Sequence, residues 1–70
     1  MDYIENMVDI RKEKSITQKE LSKKIGWSRA QIQRYETKKS SPTVEYIIAF
    51  CEVMDISADW LLGIKPHRRK

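Results

Sequence analysis

The 70-residue sequence has few of the residues that cross-link a protein or arm it for catalysis: one cysteine, one histidine, two prolines and two glycines. The single thiol of Cys51 excludes an internal disulfide and a cysteine-rich metal site. No apolar run approaches the roughly 15 to 20 residues of a signal peptide or a membrane-spanning helix. We therefore expect a cytoplasmic protein with no metal, no cofactor and no membrane partner.

The composition and the length together predict one small folded domain. Hydrophobic residues make up 40% of the sequence and charged residues 34%, proportions typical of a globular chain rather than a disordered one. A chain of 70 residues has room for one modest core. We predict a domain over residues 1–64, followed by a flexible basic tail over residues 65–70.

Positive charge is concentrated in the centre of the sequence. Residues 11–41 contain ten Lys or Arg against three Glu, whereas residues 1–10 and 42–64 contain acidic residues and no base. The tail is basic again, and the net charge is +4. Such asymmetry is expected when one face of a protein meets a polyanion, although a run of charge is more often a solvated surface. Charge alone does not decide between these interpretations.

Apolar residues recur at three- and four-residue spacing along most of the sequence, and no segment alternates with the period of two that is typical of strands. The sequence therefore predicts an all-α fold of five helices. The predicted helices run from Asp2 to about Lys14, from Thr17 to Ile25, from Ser28 to about Thr37, from Ser41 or Thr43 to about Met54, and from Ser57 to Gly63. Residues 38–42 lack the periodicity and predict a loop.

Two capping signals lie on either side of one glycine. Thr17 and Glu20 have the spacing of a capping box, as have Ser28 and Gln31. Gly26 lies between them and most easily takes the left-handed conformation that closes a helix. The second and third helices are therefore joined by a tight turn. The side chains expected in the core are Tyr3, Met7, Ile10, Leu21, Ile25, Ile32, Tyr35, Ile47, Phe50, Cys51 and Met54.

Residues 17–36, TQKELSKKIGWSRAQIQRYE, resemble the helix-turn-helix of the Cro/repressor (Xre-type) proteins of bacteria and phages. The likeness extends from Arg11 to Gly63 and includes Pro42. It implies a compact five-helix, lambda-repressor-like DNA-binding domain whose helix-turn-helix is formed by the second and third helices. It also implies a transcriptional repressor that binds double-stranded DNA sequence-specifically, as a homodimer on a pseudo-palindromic operator.

The resemblance makes the third helix the recognition helix, which lies in the major groove with its first residues toward the base edges. With Ile32 and Tyr35 directed inward, helical spacing turns a polar stripe outward. The expected base-reading residues are Ser28, Arg29, Ala30, Gln33 and Arg34. Arginine can donate twice to guanine, glutamine can pair with adenine, and alanine can touch a thymine methyl group. Without the resemblance, the same stripe would be equally consistent with an ordinary solvated face.

Other residues match family positions that meet the phosphate backbone. Gln18 begins the second helix, where side-chain and main-chain amides can hold a phosphate. Lys38, Lys39 and Thr43 match the segment that follows the DNA backbone after the recognition helix. The alternative for the two lysines is a solvated pair. The resemblance implies that all four residues contact phosphates.

Arg11 and Glu36 match positions that form an ion pair between the first and third helices of relatives, which implies a structural role. Two residues depart from the family. Relatives usually have glycine near Lys38, and because a lysine at positive φ is strained, we expect a differently shaped loop here. Trp27 replaces a smaller aliphatic residue, and we expect it in the core, with contact to sugar and phosphate as the alternative.

Two other classes of function are alternatives to DNA binding. An enzyme has little support, because the only histidine, His67, lies in the tail and no catalytic motif is present. A protein-interaction module on the same fold, such as an antitoxin with a protein partner, has the same sequence signals. Trp60, Leu62 and Ile64 suit either the core or a subunit interface, whereas we expect Leu61 in the core. The basic tail either follows phosphates or is a disordered end.

Overall fold

Five α-helices joined by short loops make up residues 2–68, which are the residues described by the computed structural model. The helices are α1 (Tyr3–Glu13), α2 (Gln18–Ile25), α3 (Arg29–Glu36), α4 (Val44–Met54) and α5 (Ala58–Leu61). No strand occurs in this range, so the predicted all-α fold is confirmed. The last helix is shorter than predicted, because it ends at Leu61 rather than at Gly63. None of the described helices is long and apolar enough to cross a bilayer.

Each helix begins after a side chain that accepts a hydrogen bond from a free backbone amide of its first turn. These N-cap residues are Asp2, Thr17, Ser28, Thr43 and Ser57. The cap of α4 is therefore Thr43 and not the alternative, Ser41. Thr17 and Glu20 form the complete capping box, and the hydrogen bonds from Thr17 hold the pKa of Glu20 below its ordinary value. At Ser28 only one of the two predicted box hydrogen bonds is present in the described residues.

The turn between α2 and α3 is closed by a left-handed glycine. Gly26 has a φ of 82°, and its amide donates to the carbonyl oxygen of Ser22 at 2.9 Å. The Ser22 hydroxyl in turn donates to the carbonyl oxygen of Trp27 across the corner. Both bonds hold the two helices at the tight turn expected of a helix-turn-helix.

A second left-handed residue closes α3. Lys38 has a φ of 64°, and the next amide, that of Lys39, donates to the carbonyl oxygen of Arg34 at 2.9 Å. The expectation that this loop would avoid a left-handed lysine was therefore wrong. A residue other than glycine in this conformation costs about 1–2 kcal/mol. The Lys38 ammonium contacts the Asp2 carboxylate at the start of α1.

Tyr46 lies at the centre of the core. It is 2% exposed and its ring packs against those of Trp27, Tyr35 and Phe50, with centroid distances of 5.5, 4.6 and 6.4 Å. Burial, with the negative charge of Glu36 as the second cause, raises the pKa of the Tyr46 hydroxyl well above its ordinary value. Trp27 therefore packs against the core, as the sequence analysis expected.

The core contains most of the predicted side chains and two that were missed. The predicted residues found buried are Met7, Ile10, Leu21, Ile32, Tyr35, Phe50, Cys51, Met54 and Leu61. Tyr46 and Ile56 are buried as well, whereas Tyr3, Ile25 and Ile47, which were also predicted in the core, are only half-buried. The buried stripe of α4 includes positions 46, 50 and 54, so it begins one residue before the predicted stripe. Trp60, whose place was open, is half-buried against the core.

The C-terminal segment folds back onto the domain. The amide of Ser57, at the start of α5, donates to the carbonyl oxygen of Arg68 at 2.7 Å. The Arg68 guanidinium lies 3.0 Å from the Glu13 carboxylate and 5.4 Å from the centroid of the Trp60 ring. Arg68, in the basic tail that the sequence predicts to be flexible, thus contacts the folded domain, and residues 69–70 of this tail lie outside the described range.

Replacement of Leu21 tests how far the α2–α3 corner depends on the core. Leu21 is 0% exposed, so Leu21→Ala should lower the free energy of unfolding by about 2–5 kcal/mol through lost burial and the cavity left behind. Val44→Ala is the control, because Val44 is 68% exposed and its truncation should change that free energy by less than about 0.5 kcal/mol. Urea unfolding measures both, and equal effects would show that Leu21 does not anchor the corner.

Candidate nucleic-acid interface

One side of α3 is available to a ligand. We name this exposed stripe and its cap the α3 face, which comprises Ser28, Arg29, Ala30, Gln33 and Arg34. The opposite side of the helix is anchored by Ile32 and Tyr35, which are 0% and 4% exposed. The core thus anchors the buried side of α3. All five side chains that the sequence predicts to read bases are exposed to solvent.

The α3 face borders an open cleft at the start of α2. Gln18, Arg29, Ala30 and Gln33 line this cleft. Two side-chain amides and a guanidinium offer hydrogen-bond donors and acceptors side by side, which is what phosphates and base edges require. The first amides of α2 have no partners within the helix and add further donors at its start.

Arg11 and Glu36 form an ion pair next to this cleft. The Arg11 guanidinium donates to both carboxylate oxygens of Glu36, from Nε to Oε2 at 2.7 Å and from Nη2 to Oε1 at 2.9 Å. Its Nη1 donates to the carbonyl oxygen of Ile16 at 2.8 Å. The two charged side chains are 9% and 12% exposed. Because a buried pair is costly to break from one side, it ties α1 to the end of α3.

The Gln18 side chain belongs to the same network. Its Nε2 donates to Oε1 of Glu36 at 2.8 Å. The sequence predicts that this amide holds a phosphate, and the structure shows that one of its two N–H groups is already used. The contact with Glu36 was missed because the two residues lie 18 positions apart, and no spacing rule for a helix or a turn indicates such a pair.

The two lysines after α3 have different surroundings. The Lys38 ammonium contacts Asp2 and lies 3.7 Å from Glu5. Lys39 is exposed, and no carboxylate pairs with it in residues 2–68. The hydrogen bond from Lys38 lowers the pKa of Asp2, and Asp2 raises the pKa of Lys38. The structure therefore distinguishes two lysines for which the sequence predicts the same contact with phosphate.

Thr43 lies exposed at the end of the same loop. Its hydroxyl oxygen accepts a hydrogen bond from the Tyr46 amide at 3.1 Å and so caps α4. A hydroxyl that accepts in this way can still donate its own proton. The expected phosphate contact at Thr43 is therefore chemically compatible with its role as a cap.

The contact between Asp2 and Lys38 predicts a shifted titration. Asp2 should titrate below its ordinary pKa of 3.8, because the ammonium favours the charged carboxylate. Since the folded pKa is the lower one, the stability that Asp2 contributes is present at neutral pH and is lost as the pH falls through the folded pKa. NMR titration of the carboxyl carbon measures the shift. In Lys38→Met the pKa should rise toward 3.8, and an unchanged titration would show that the contact does not form in solution.

The five-helix architecture, the tight α2–α3 corner and the exposed polar α3 face define a helix-turn-helix domain. The model of the helix-turn-helix family matches residues 8–61, which is most of the chain. The chain therefore belongs to the helix-turn-helix family of Cro/repressor (Xre) type, a class of DNA-binding transcriptional regulators. The resemblance stated from the sequence is confirmed.

Two proteins of Bacillus subtilis (strain 168) are similar in sequence. The uncharacterized HTH-type transcriptional regulator YobD is 26% identical over 62 residues, covering 89% of this chain and 55% of the relative. The uncharacterized HTH-type transcriptional regulator YqaE is 32% identical over 60 residues, covering 86% and 52%. The chain thus spans about half the length of the curated relatives that it matches.

Two solved structures share the fold. The P22 c2 repressor protein, in complex with synthetic operator 9T, has a TM-score of 0.80 and 28% sequence identity, covering 93% of this chain and 98% of that one. The N-terminal DNA-binding domain of SinR from Bacillus subtilis has a TM-score of 0.79 and 24% identity, covering 87% and 90%. At that identity the second match shows likeness of fold alone.

Proposed function

We propose that this chain binds double-stranded DNA sequence-specifically and represses transcription, with α3 lying in the major groove. The α3 face carries the proposal, because its five side chains are exposed while Ile32 and Tyr35 anchor the opposite side. An α-helix held by its apolar side is the element that enters the major groove in this class of proteins. The P22 c2 repressor, whose fold this chain shares, was solved with an operator, which supports the proposal.

Arg29, Gln33 and Arg34 make the most selective contacts in this proposal. An arginine can donate twice to O6 and N7 of a guanine, and a glutamine can pair with N6 and N7 of an adenine. Each good bidentate contact discriminates against the wrong base by about 1–3 kcal/mol. Ala30 offers a methyl group to thymine, and Ser28 offers a hydroxyl at the start of the helix. Operator preference then depends on the α3 face.

Gln18, Lys39 and Thr43 contact phosphates in this proposal. Gln18 offers its second side-chain N–H beside the first backbone amides of α2. Lys39 offers an exposed positive charge, and the Thr43 hydroxyl offers a neutral donor. Lys38 reaches a phosphate only by leaving Asp2. Such contacts position the protein on the duplex and do not select a base.

We further propose that two copies bind one pseudo-palindromic operator, with half-sites roughly 34 Å apart, and block polymerase. One recognition helix contacts few bases, and a twofold arrangement doubles that number. Apolar side chains suited to an interface are exposed on α4 and after α5. Of these we assign Ile48, Leu62 and Ile64 to the interface, and they are 53%, 45% and 67% exposed.

Alanine substitutions should separate base-reading residues from phosphate-contacting ones. Arg29→Ala and Gln33→Ala should relax the base preference at individual operator positions, because each removes a bidentate contact. Lys39→Ala should weaken binding to all sequences alike and reduce the salt slope by about one unit. Selection of bound sites from random DNA, followed by binding titrations at several salt concentrations, measures both effects.

Lys65→Ala is the charge-matched control for Lys39→Ala. Lys65 follows α5, and its ammonium lies 3.6 Å from the Asp59 carboxylate. Because Asp59 already pairs with Lys65, we expect this residue of the basic tail not to follow phosphates, and its loss should change neither the affinity nor the salt slope. If Arg29→Ala and Gln33→Ala instead lowered affinity equally on every DNA sequence, their assignment to base reading would be wrong.

The dimer predicts a footprint of two symmetric half-sites. Leu62→Lys should weaken binding to a full operator, because it places charge in the proposed apolar interface, and should leave binding to an isolated half-site unchanged. Val53→Lys adds the same charge elsewhere and is the matched control, since Val53 lies on a different side of α4 from Ile48. Footprinting and sedimentation measure the outcome, and a single unpaired half-site would refute the dimer.

A protein-interaction module, for example an antitoxin with a protein partner, is the second candidate. The same exposed apolar side chains favour it. The dependence of binding affinity on salt concentration distinguishes these two candidate functions. DNA binding weakens with a logarithmic slope of about −0.9 for each phosphate neutralised, whereas association through apolar surface lacks that dependence.

A further inference from the structure

Glu36 is the last residue of α3, yet its carboxylate reaches the start of α2 and accepts a hydrogen bond from Gln18 Nε2 at 2.8 Å. We infer that Glu36 is a positioning residue for DNA binding, which holds the Gln18 amide in one orientation at the cleft beside the α3 face. The inference rests on the proposed function, because it assigns a role at that surface. Glu36 itself acts through Gln18 and does not touch DNA.

The chemistry of the partners determines the orientation of the Gln18 amide. An ionised carboxylate only accepts hydrogen bonds, so the amide nitrogen of Gln18, and not its oxygen, must face Glu36. One N–H is used in this bond. The second N–H and the carbonyl oxygen are left for a ligand at the cleft that Gln18 lines. Without the bond, a glutamine at this position would exchange among several rotamers.

Arg11 makes this arrangement compatible with a nearby phosphate. A lone carboxylate 2.8 Å from Gln18 would repel any phosphate that approached the same amide. Arg11 binds both carboxylate oxygens of Glu36, at 2.7 and 2.9 Å, so the pair is neutral as a whole. Because the two side chains are 9% and 12% exposed, water competes little for the carboxylate. The Gln18 amide is thus hydrogen-bonded to an ion pair that is neutral as a whole and held in one geometry.

A side chain that is ordered before binding loses less conformational freedom when it meets its ligand. Ordering one side chain with many rotamers accounts for about a twofold to tenfold change in affinity. Glu36, which orders Gln18, is also the last residue of α3. The hydrogen bond therefore positions the Gln18 amide relative to the α3 face. The expected contribution of Glu36 to DNA affinity therefore lies in that range.

The test removes the Arg11–Glu36 ion pair without leaving either charge buried and unpaired. In Arg11→Met/Glu36→Leu both charges are replaced by apolar groups of similar volume, which proteins tolerate better than the loss of one partner. This double variant has the same net charge as the parent chain. Binding to a duplex that the parent chain selects from random DNA is measured for the parent, for the double variant, for Gln18→Ala and for the triple variant, at a temperature at which all are folded.

The double variant and Gln18→Ala should each bind about twofold to tenfold more weakly than the parent. The triple variant should bind no more weakly than Gln18→Ala, because Glu36 acts through Gln18. The salt slope should be the same in all four, since none changes the net charge. Losses that multiply in the triple variant would overturn the inference and leave the proposed function intact. A parent chain without salt-dependent DNA binding would overturn both.

NMR of the Gln18 side-chain NH₂ group provides a readout that needs no DNA. In the free parent chain this amide should be rigid, and in the double variant it should become mobile. A mobile amide in the parent would overturn the inference even if the double variant failed to fold. Asp59→Asn/Lys65→Gln removes a different ion pair and is the control, because it should change neither the Gln18 amide nor the DNA affinity.

Discussion

Burial of one side of α3 is the constraint on which the rest of the structure depends. Ile32 is 0% exposed, and the Tyr35 ring lies 4.6 Å from that of Tyr46. Full burial of a large apolar side chain stabilises a fold by about 1.5–3 kcal/mol. A helix of eight residues is too short to be stable alone in water, so the core supplies its rigidity. Exposure of the α3 face follows from the same geometry.

Ion pairs decide which positive charges remain for a polyanion. Lys38 is held by Asp2, Lys65 lies near Asp59, and Arg68 contacts Glu13. Pairs as exposed as these contribute little to stability, because water and salt screen the attraction between their charges. Their effect on the surface potential is larger, because each paired base adds less to the attraction of a phosphate. The basic residues left without such carboxylate pairs in residues 2–68 include Arg29, Arg34 and Lys39, on and just after α3.

The sequence by itself determined the order of the five helices, most of their caps and the helix-turn-helix, because these depend on residues within one turn of each other. The capping box of Thr17 and Glu20 and the left-handed Gly26 are local features of this kind. The α3 face was predictable for the same reason. Once Ile32 and Tyr35 are assigned to the core, helical geometry leaves only one side of the helix for solvent.

Only the tertiary structure decided which distant polar groups meet. Nothing local indicates that Gln18 donates to Glu36 or that Arg68 returns to Glu13. Lys38 adopts a left-handed backbone that its residue type disfavours, and its side chain contacts the start of α1. A polar side chain has several possible partners in an unfolded chain. Packing of the helices selects one of them, because only the folded core brings residues far apart in sequence within hydrogen-bond distance.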